Sequence, residues 1–181
     1  MSLHDWSVHD LGTEGQVREV LRAPDAVLST PSEKVDPGDA SVVQLAADLV
    51  ATMRVSPGCV GLAANQVGLA WHVFCVDVTE HPKARTTHGT FVLCNARVVE
   101  ASRKEKGREG CMSVPELTGD VKRATRLTVT GQLPPSGDEI VVETDAFEAR
   151  AVQHEIDHCD GFLFLDRVAG AHAVYARKTY L

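Results

Sequence analysis

Gln153-His154-Glu155-Ile156-Asp157-His158, near the C-terminal end, is the stretch on which the reading of this sequence turns. His154 and His158 stand four apart, so on a helix their imidazoles leave the same face, one turn above the other. Glu155 follows the first histidine and can reach a water held near an ion placed between the two rings. Such a set can hydrolyse an amide or ester at neutral pH, with the ion acidifying the water and the carboxylate handling the proton. The pattern alone is only moderately specific. It needs a third ligand and a wall facing the substrate, and both must come from elsewhere in the chain.

The helix carrying these residues is predicted to run from about Thr144 to Cys159 and to stop at Asp160-Gly161. Phe162-Leu163-Phe164-Leu165 then returns apolar residues to the core. Phe147, Ala151, His154 and His158 form one stripe along the helix, and Ala149, Val152 and Ile156 form a second apolar face. Only the side of Arg150, Gln153 and Asp157 is evidently polar. A helix apolar on two sides belongs inside, flanked by sheets. Two histidines and a glutamate there need partners, because an unpaired buried polar group costs roughly 1–3 kcal/mol. A metal would satisfy them.

Upstream, residues 14–22 (EGQVREVLR) can form a short helix, and a Pro-, Ser- and Asp-rich connection follows. Val42, Leu45, Leu49 and Met53 recur at helical spacing after Asp39 or Ser41 as the cap, and Pro57-Gly58 ends that helix. The small residues of Cys59-Val60-Gly61-Leu62-Ala63-Ala64-Asn65-Gln66-Val67-Gly68 let a backbone run close to something else, or simply turn from helix to strand. Residues 71–78 and 91–99 are β-rich, with a loop between them. The segment 103–108 (RKEKGR) reads as a solvated loop, and 126–130 and 139–143 as an antiparallel pair around the turn 134–138 (PPSGD).

The chain of 181 residues is expected to be one domain, 1–181, with residues 1–10 flexible. A net charge of −7 argues against nucleic-acid binding, which depends on clustered Lys and Arg. Five scattered cysteines suggest reduced thiols and a cytoplasmic location. No apolar run approaches the ~20 residues of a membrane span, and the polar N-terminus is no signal peptide. Among third-ligand candidates, Cys59, Cys75 and Cys94 lie in or beside apolar segments, and Cys159 points about 100° away from His158 on a helix. Cys111, between Gly110 and a Ser-Val-Pro segment, stands in a loop. It reads equally as a ligand or as a structural cysteine.

Three separated motifs resemble those of the peptide deformylase family: Cys59 to Gln66 its G-x-G-L-A-A-x-Q, Glu109-Gly110-Cys111-Met112-Ser113 its E-G-C-[LVM]-S, and Gln153 to His158 its Q-H-E-x-D-H. The run from Asp160 to Arg167 and the stretch from Ala23 to Pro37 are also similar, so the resemblance covers most of the chain in the right order. It implies an α+β fold with antiparallel sheets packed around a central C-terminal helix. It implies removal of the formyl group from N-formylmethionyl nascent peptides, releasing formate. It makes Cys111, His154 and His158 the metal ligands, Glu155 the general acid/base, and Gln66 and the Met112 backbone N–H the donors to the formyl oxygen. One thiolate and two imidazoles suit Fe(2+), Zn(2+), Ni(2+) or Co(2+), and the resemblance implies ferrous iron as the native ion. Glu109 and Arg123 are expected to pair and hold the Cys111 loop, while Asp157 orients a neighbour or caps the polar face. Val60, Gly61, Phe147 and Ala151 are expected to line the methionine pocket.

Two positions depart from the family pattern. Cys59 stands where the first motif has Gly, and Thr118 where some relatives carry a basic residue thought to contact the peptide backbone. The tail beyond Asp166 is short and lacks the long basic helix that some members use at the ribosome, which argues against docking by that route; the resemblance otherwise implies a transient ribosome contact. Two rivals keep the site: an amidase of small N-formyl compounds, and a catalytically silent binding member. A zincin-type peptidase fits poorly, because no good third ligand follows His158.

Overall fold

The structure is a computed structural model in which residues 3–178 are described. Asp39 accepts a hydrogen bond from the Ser41 N–H (2.8 Å) and starts helix α1, Ala40–Val55. Val42, Leu45, Leu49 and Met53 are buried on its inner face, as their spacing predicts. The second helix, α2, spans Ala146–Cys159. Among the described residues six strands form one sheet, each strand pairing antiparallel with its neighbours: β1 (Gly61–Ala63), β2 (Val73–Val76), β3 (Phe91–Cys111), β4 (Val114–Gln132), β5 (Glu139–Asp145) and β6 (Val174–Ala176). The order is β1-β2-β3-β4-β5, and β6 pairs with the other end of β4. Helix α2 lies against β1, β2, β4 and β5, so the α+β expectation of antiparallel strands around a C-terminal helix is met. Leu45 and Leu49 of α1, Phe74 of β2, Leu93 of β3, Val129 of β4 and Val152 of α2 share one apolar core. A smaller cluster joins Cys111, Val114, Val121 and Phe164.

Local readings are corrected where tertiary contacts decide. Residues 14–22 form no helix. They run along α1, with Gln16 N–H donating to Asp48 Oδ1 (2.7 Å) and Arg18 N–H to Thr52 Oγ1 (2.9 Å). Asp48 and Thr52 are buried in α1 and need donors, and a non-helical backbone alongside supplies them. The basic run 103–108 is not a loop but part of β3, with Lys104 opposite Ala124 and Glu105 opposite Arg123. Its charges remain in solvent, and the ladder to β4 holds it extended. Cys111 ends β3, and the two-residue turn Met112-Ser113 leads directly into β4. Pairing is irregular here, passing from Gly110↔Thr118 to Cys111↔Val114, where Pro115 can donate nothing to a ladder.

Over its described part the N-terminal segment, expected to be flexible, packs against the body of the fold. Leu3, Trp6 and Leu11 are buried, and Trp6 Nε1 donates to the Pro134 carbonyl (2.7 Å). The first two residues lie outside the described ones. Of the apolar run 162–165, Phe164 alone is fully buried and Phe162 is exposed. Among the described residues no helix is long and apolar enough to cross a membrane.

Candidate metal centre

Helix α2 presents His154 and His158 on one face, their ring centroids 4.9 Å apart. The end of β3 brings Cys111 to them: its Sγ lies 3.2 Å from His158 Nε2. The ligating atoms of the three residues all fall within 4.8 Å of one another. A thiolate with two imidazoles is a donor set for one borderline divalent ion, and donor atoms this close together can converge on a single one. Burial opposes ionisation of Cys111, but the charges and hydrogen bonds of His158 and His154 outweigh it and hold the thiol well below its usual range. The residues present therefore fit a single metal ion.

Behind the three donors is a buried ionic network. The Glu109 carboxylate receives Arg123 Nε (2.9 Å) and Nη2 (3.0 Å), Arg150 Nη1 (2.8 Å), and pairs with His154 Nδ1 (3.0 Å). The last contact turns the other ring nitrogen of His154 toward the site, as a metal-binding histidine requires. Burial alone would raise the Glu109 carboxyl, but its bonds to His154 and Arg123 keep it ionised well below the usual carboxylate range. Arg123 continues to Asp157 (2.5 Å), which also receives Arg167. The expected Glu109–Arg123 pair is thus one link in a chain that sequence reasoning did not connect. Arg150 was missed because the polar side of α2 reads as solvent-facing. That side in fact meets β4, and Gln153 bonds both the N–H and the carbonyl of Ala124.

In front of the donors is a cavity of about 400 Å³. Cys111, His154, Glu155, Gln66, Met112, Val60, Gly61, Phe147 and Ala151 all line it; His158 lies fully buried behind. Glu155 is 3% exposed and its Oε2 has no partner among the described residues. Burial, reinforced by the nearby Cys111 and Glu109 charges and partly offset by the two histidines, pushes its carboxyl up to about 7. A carboxyl so placed can both take and return a proton near neutrality. Gly61 is what lets it sit there, because a Cβ at that position would collide with the Glu155 carboxyl. Gln66 is locked by the Ala63 N–H on its Oε1 (3.0 Å), which directs its Nε2 toward Cys111 Sγ (3.4 Å) and Ser113 Oγ (3.1 Å). His81, not singled out in the sequence, stacks on Phe147 at 3.5 Å and closes one wall.

Comparison with known proteins agrees with this geometry. The family model for polypeptide deformylase matches residues 17–173. The chain is 40% identical over 152 residues to peptide deformylase 1 of Bacillus cereus, spanning 84% of this chain and 92% of the relative. It is 42% identical over 163 residues to peptide deformylase 1 of Vibrio vulnificus, spanning 90% and 92%. Among solved structures, peptide deformylase from Ehrlichia chaffeensis in complex with actinonin superposes with a TM-score of 0.78 at 33% identity, covering 85% of this chain and 90% of that one. Peptide deformylase from Thermotoga maritima gives 0.77 at 29%, covering 86% and 99%. Matches of this extent in both sequence and fold leave one assignment: the chain belongs to the polypeptide deformylase family.

Proposed function

We infer that this chain is a metal-dependent hydrolase that removes the N-formyl group from the N-terminal formylmethionine of newly made polypeptides, releasing formate. The observation that carries the inference is the convergence of Cys111, His154 and His158 at the cavity beside Glu155 and Gln66. Mere ion binding needs neither of the last two residues. A divalent ion on the three donors would acidify the attacking water and polarise the formyl oxygen.

The protein's own groups then divide the work. Val60, Gly61, Phe147 and Ala151 supply apolar surface for the methionine side chain, on the same stretch of α2 that carries His154. Gln66 Nε2 and the Met112 backbone N–H donate to the oxygen on which negative charge develops. Glu155 takes a proton from water at its free carboxylate oxygen and hands it to the departing amine, so that formate and a free N-terminus result. Glu109 holds the His154 ring, and Arg123 holds Glu109.

Ferrous iron as the native ion, with zinc, nickel or cobalt able to replace it, and a transient ribosome contact rest on the resemblance. A single catalytic domain over residues 1–181 rests on chain length, and a cytoplasmic location on the five scattered cysteines. The test is formate release from formyl-Met-Ala by anaerobically purified protein of known metal content, against acetyl-Met-Ala and a formyl peptide lacking methionine. Turnover confined to the formyl-methionyl substrate is expected. Equal turnover of the acetyl peptide would remove the main point of the assignment.

A further inference from the structure

The cavity mouth carries a charge pattern that the reaction above does not use. Besides Arg150, which is engaged by Glu109 (2.8 Å), three cations from three different elements border it: Lys83 from the loop between β2 and β3, Arg108 from β3, and Arg177 just beyond β6. The two carboxylates that line the same cavity cannot neutralise them. Glu109 is engaged by Arg123, Arg150 and His154, and Glu155 is buried beside Gly61. Lys83 and Arg177 have no ion-pair partner among the described residues, and Arg108 has one, Asp120 (2.7 Å). In a chain of net charge −7, a mouth bordered by three cations is a local inversion of sign.

Two of the three are held in place. The Arg108 guanidinium is fixed by Asp120, by Thr118 Oγ1 (3.4 Å) and by the Tyr175 ring, 3.7 Å beneath it. Tyr175 belongs to β6, whose pairing with β4 puts it opposite Thr118. Arg177 is anchored by its own N–H on the Glu116 carbonyl (2.7 Å), and its Nη2 donates to the carbonyl of Cys111 (3.2 Å). Gly110 leaves the space for it, since a Cβ there would meet the guanidinium. The short strand β6 therefore sets one exposed guanidinium against the backbone of a ligand residue and steadies a second next to it.

Resting on the deformylase reading, we propose that Arg177 and Arg108 are specificity-determining residues that bind a carboxylate carried by the substrate within the first three residues after the methionine. The preferred substrate class is a formylmethionyl peptide with an early acidic side chain, or a short one ending in a free carboxylate. Arginine suits this role because its fork matches a carboxylate.

Three substrates separate the sources: formyl-Met-Ala-Glu-amide, formyl-Met-Ala-Gln-amide, and formyl-Met-Ala-Gln with a free terminus. At low salt, one or both carboxylate-bearing peptides should exceed the neutral amide by about fivefold in kcat/KM, chiefly through KM, as expected for a partly exposed ion pair. The peptide favoured identifies the source. The preference should shrink at high salt, approach unity in Arg177→Ala and Arg108→Ala, and survive in part in Arg177→Lys. Calorimetric binding of the product peptides Met-Ala-Glu-amide and Met-Ala-Gln-amide should show the same preference without turnover. Equal kcat/KM for all three peptides in the unaltered protein overturns the proposal, and a preference untouched by either alanine variant overturns the assignment to these arginines. Absence of formate from every peptide overturns the deformylase reading itself.

Discussion

At the scale of single residues, the proposed function makes Glu155 the group that separates catalysis from ion binding. It is buried, touches no donor with its Oε2, and follows His154 directly in the chain while standing outside the Cys111, His154 and His158 donor set. Glu155→Ala should keep its metal, measured by elemental analysis, and lose formate release by a factor on the order of 10²–10⁴. Equal turnover would reject its part in proton transfer. On the same reading Arg123 acts as a positioning residue: it touches Glu109 and Asp157, and Glu109 touches His154. Arg123→Ala leaves two buried carboxylates short of a partner. It should weaken metal retention roughly 10- to 100-fold, as loss of a group supporting a ligand does. Unchanged metal content after dialysis against a chelator would dismiss that role.

These two residues also mark how far the sequence could be read. His154, Glu155 and His158 follow from helical spacing, and Cys111 stands out from the other cysteines only through the resemblance that its own motif and theirs carry together. Arg150 and the link from Arg123 to Asp157 stayed hidden because they depend on which side of α2 meets β4, and a polar stripe looks the same whether it faces water or a strand edge.

At the scale of elements, α2 is legible and its surroundings are not. Its two apolar faces mark it as an inner helix, but the 21-residue strand β3 could not be anticipated from its solvated basic half, where the register with β4 and not burial maintains extension. The non-helical course of residues 14–22 is likewise set by Asp48 and Thr52, far away in sequence. The start of α2 offers its own test. Glu148, fully buried, receives His88 N–H (2.8 Å), pairs with His88 Nδ1 (2.7 Å), and receives Thr144 Oγ1 (2.6 Å). The hydrogen bond to Glu148 raises the His88 pKa above its usual 6.5, against the opposing effect of burial. A histidine whose pKa is raised on folding contributes stability that is fully present below about 6.5 and is lost as pH rises through the folded value. The melting temperature should therefore fall as pH is taken upward through that window, relative to His88→Gln, in which this component is absent. Parallel pH profiles for the two proteins would contradict the pairing. Gly61→Ala tests the other flank of the helix: its new Cβ must displace the Glu155 carboxyl, so formate release should drop at least tenfold while metal content holds.

At the scale of the molecule, one ion would tie β3 to α2, joining the smaller apolar cluster around Cys111 to the main core beneath α2. An ion that binds only the folded chain stabilises it by about 2.7 kcal/mol when present at one hundred times its dissociation constant. Chelation should accordingly lower the melting temperature by several degrees and abolish formate release, and re-addition of a divalent ion should restore both. The most direct test of the central claim is an anomalous-scattering map from crystals of the metal-loaded protein. The account requires one peak bonded to Cys111 Sγ and to one ring nitrogen each of His154 and His158, at roughly 2.0–2.3 Å. A peak more than about 3 Å from Cys111 Sγ, well outside bonding range, would contradict it.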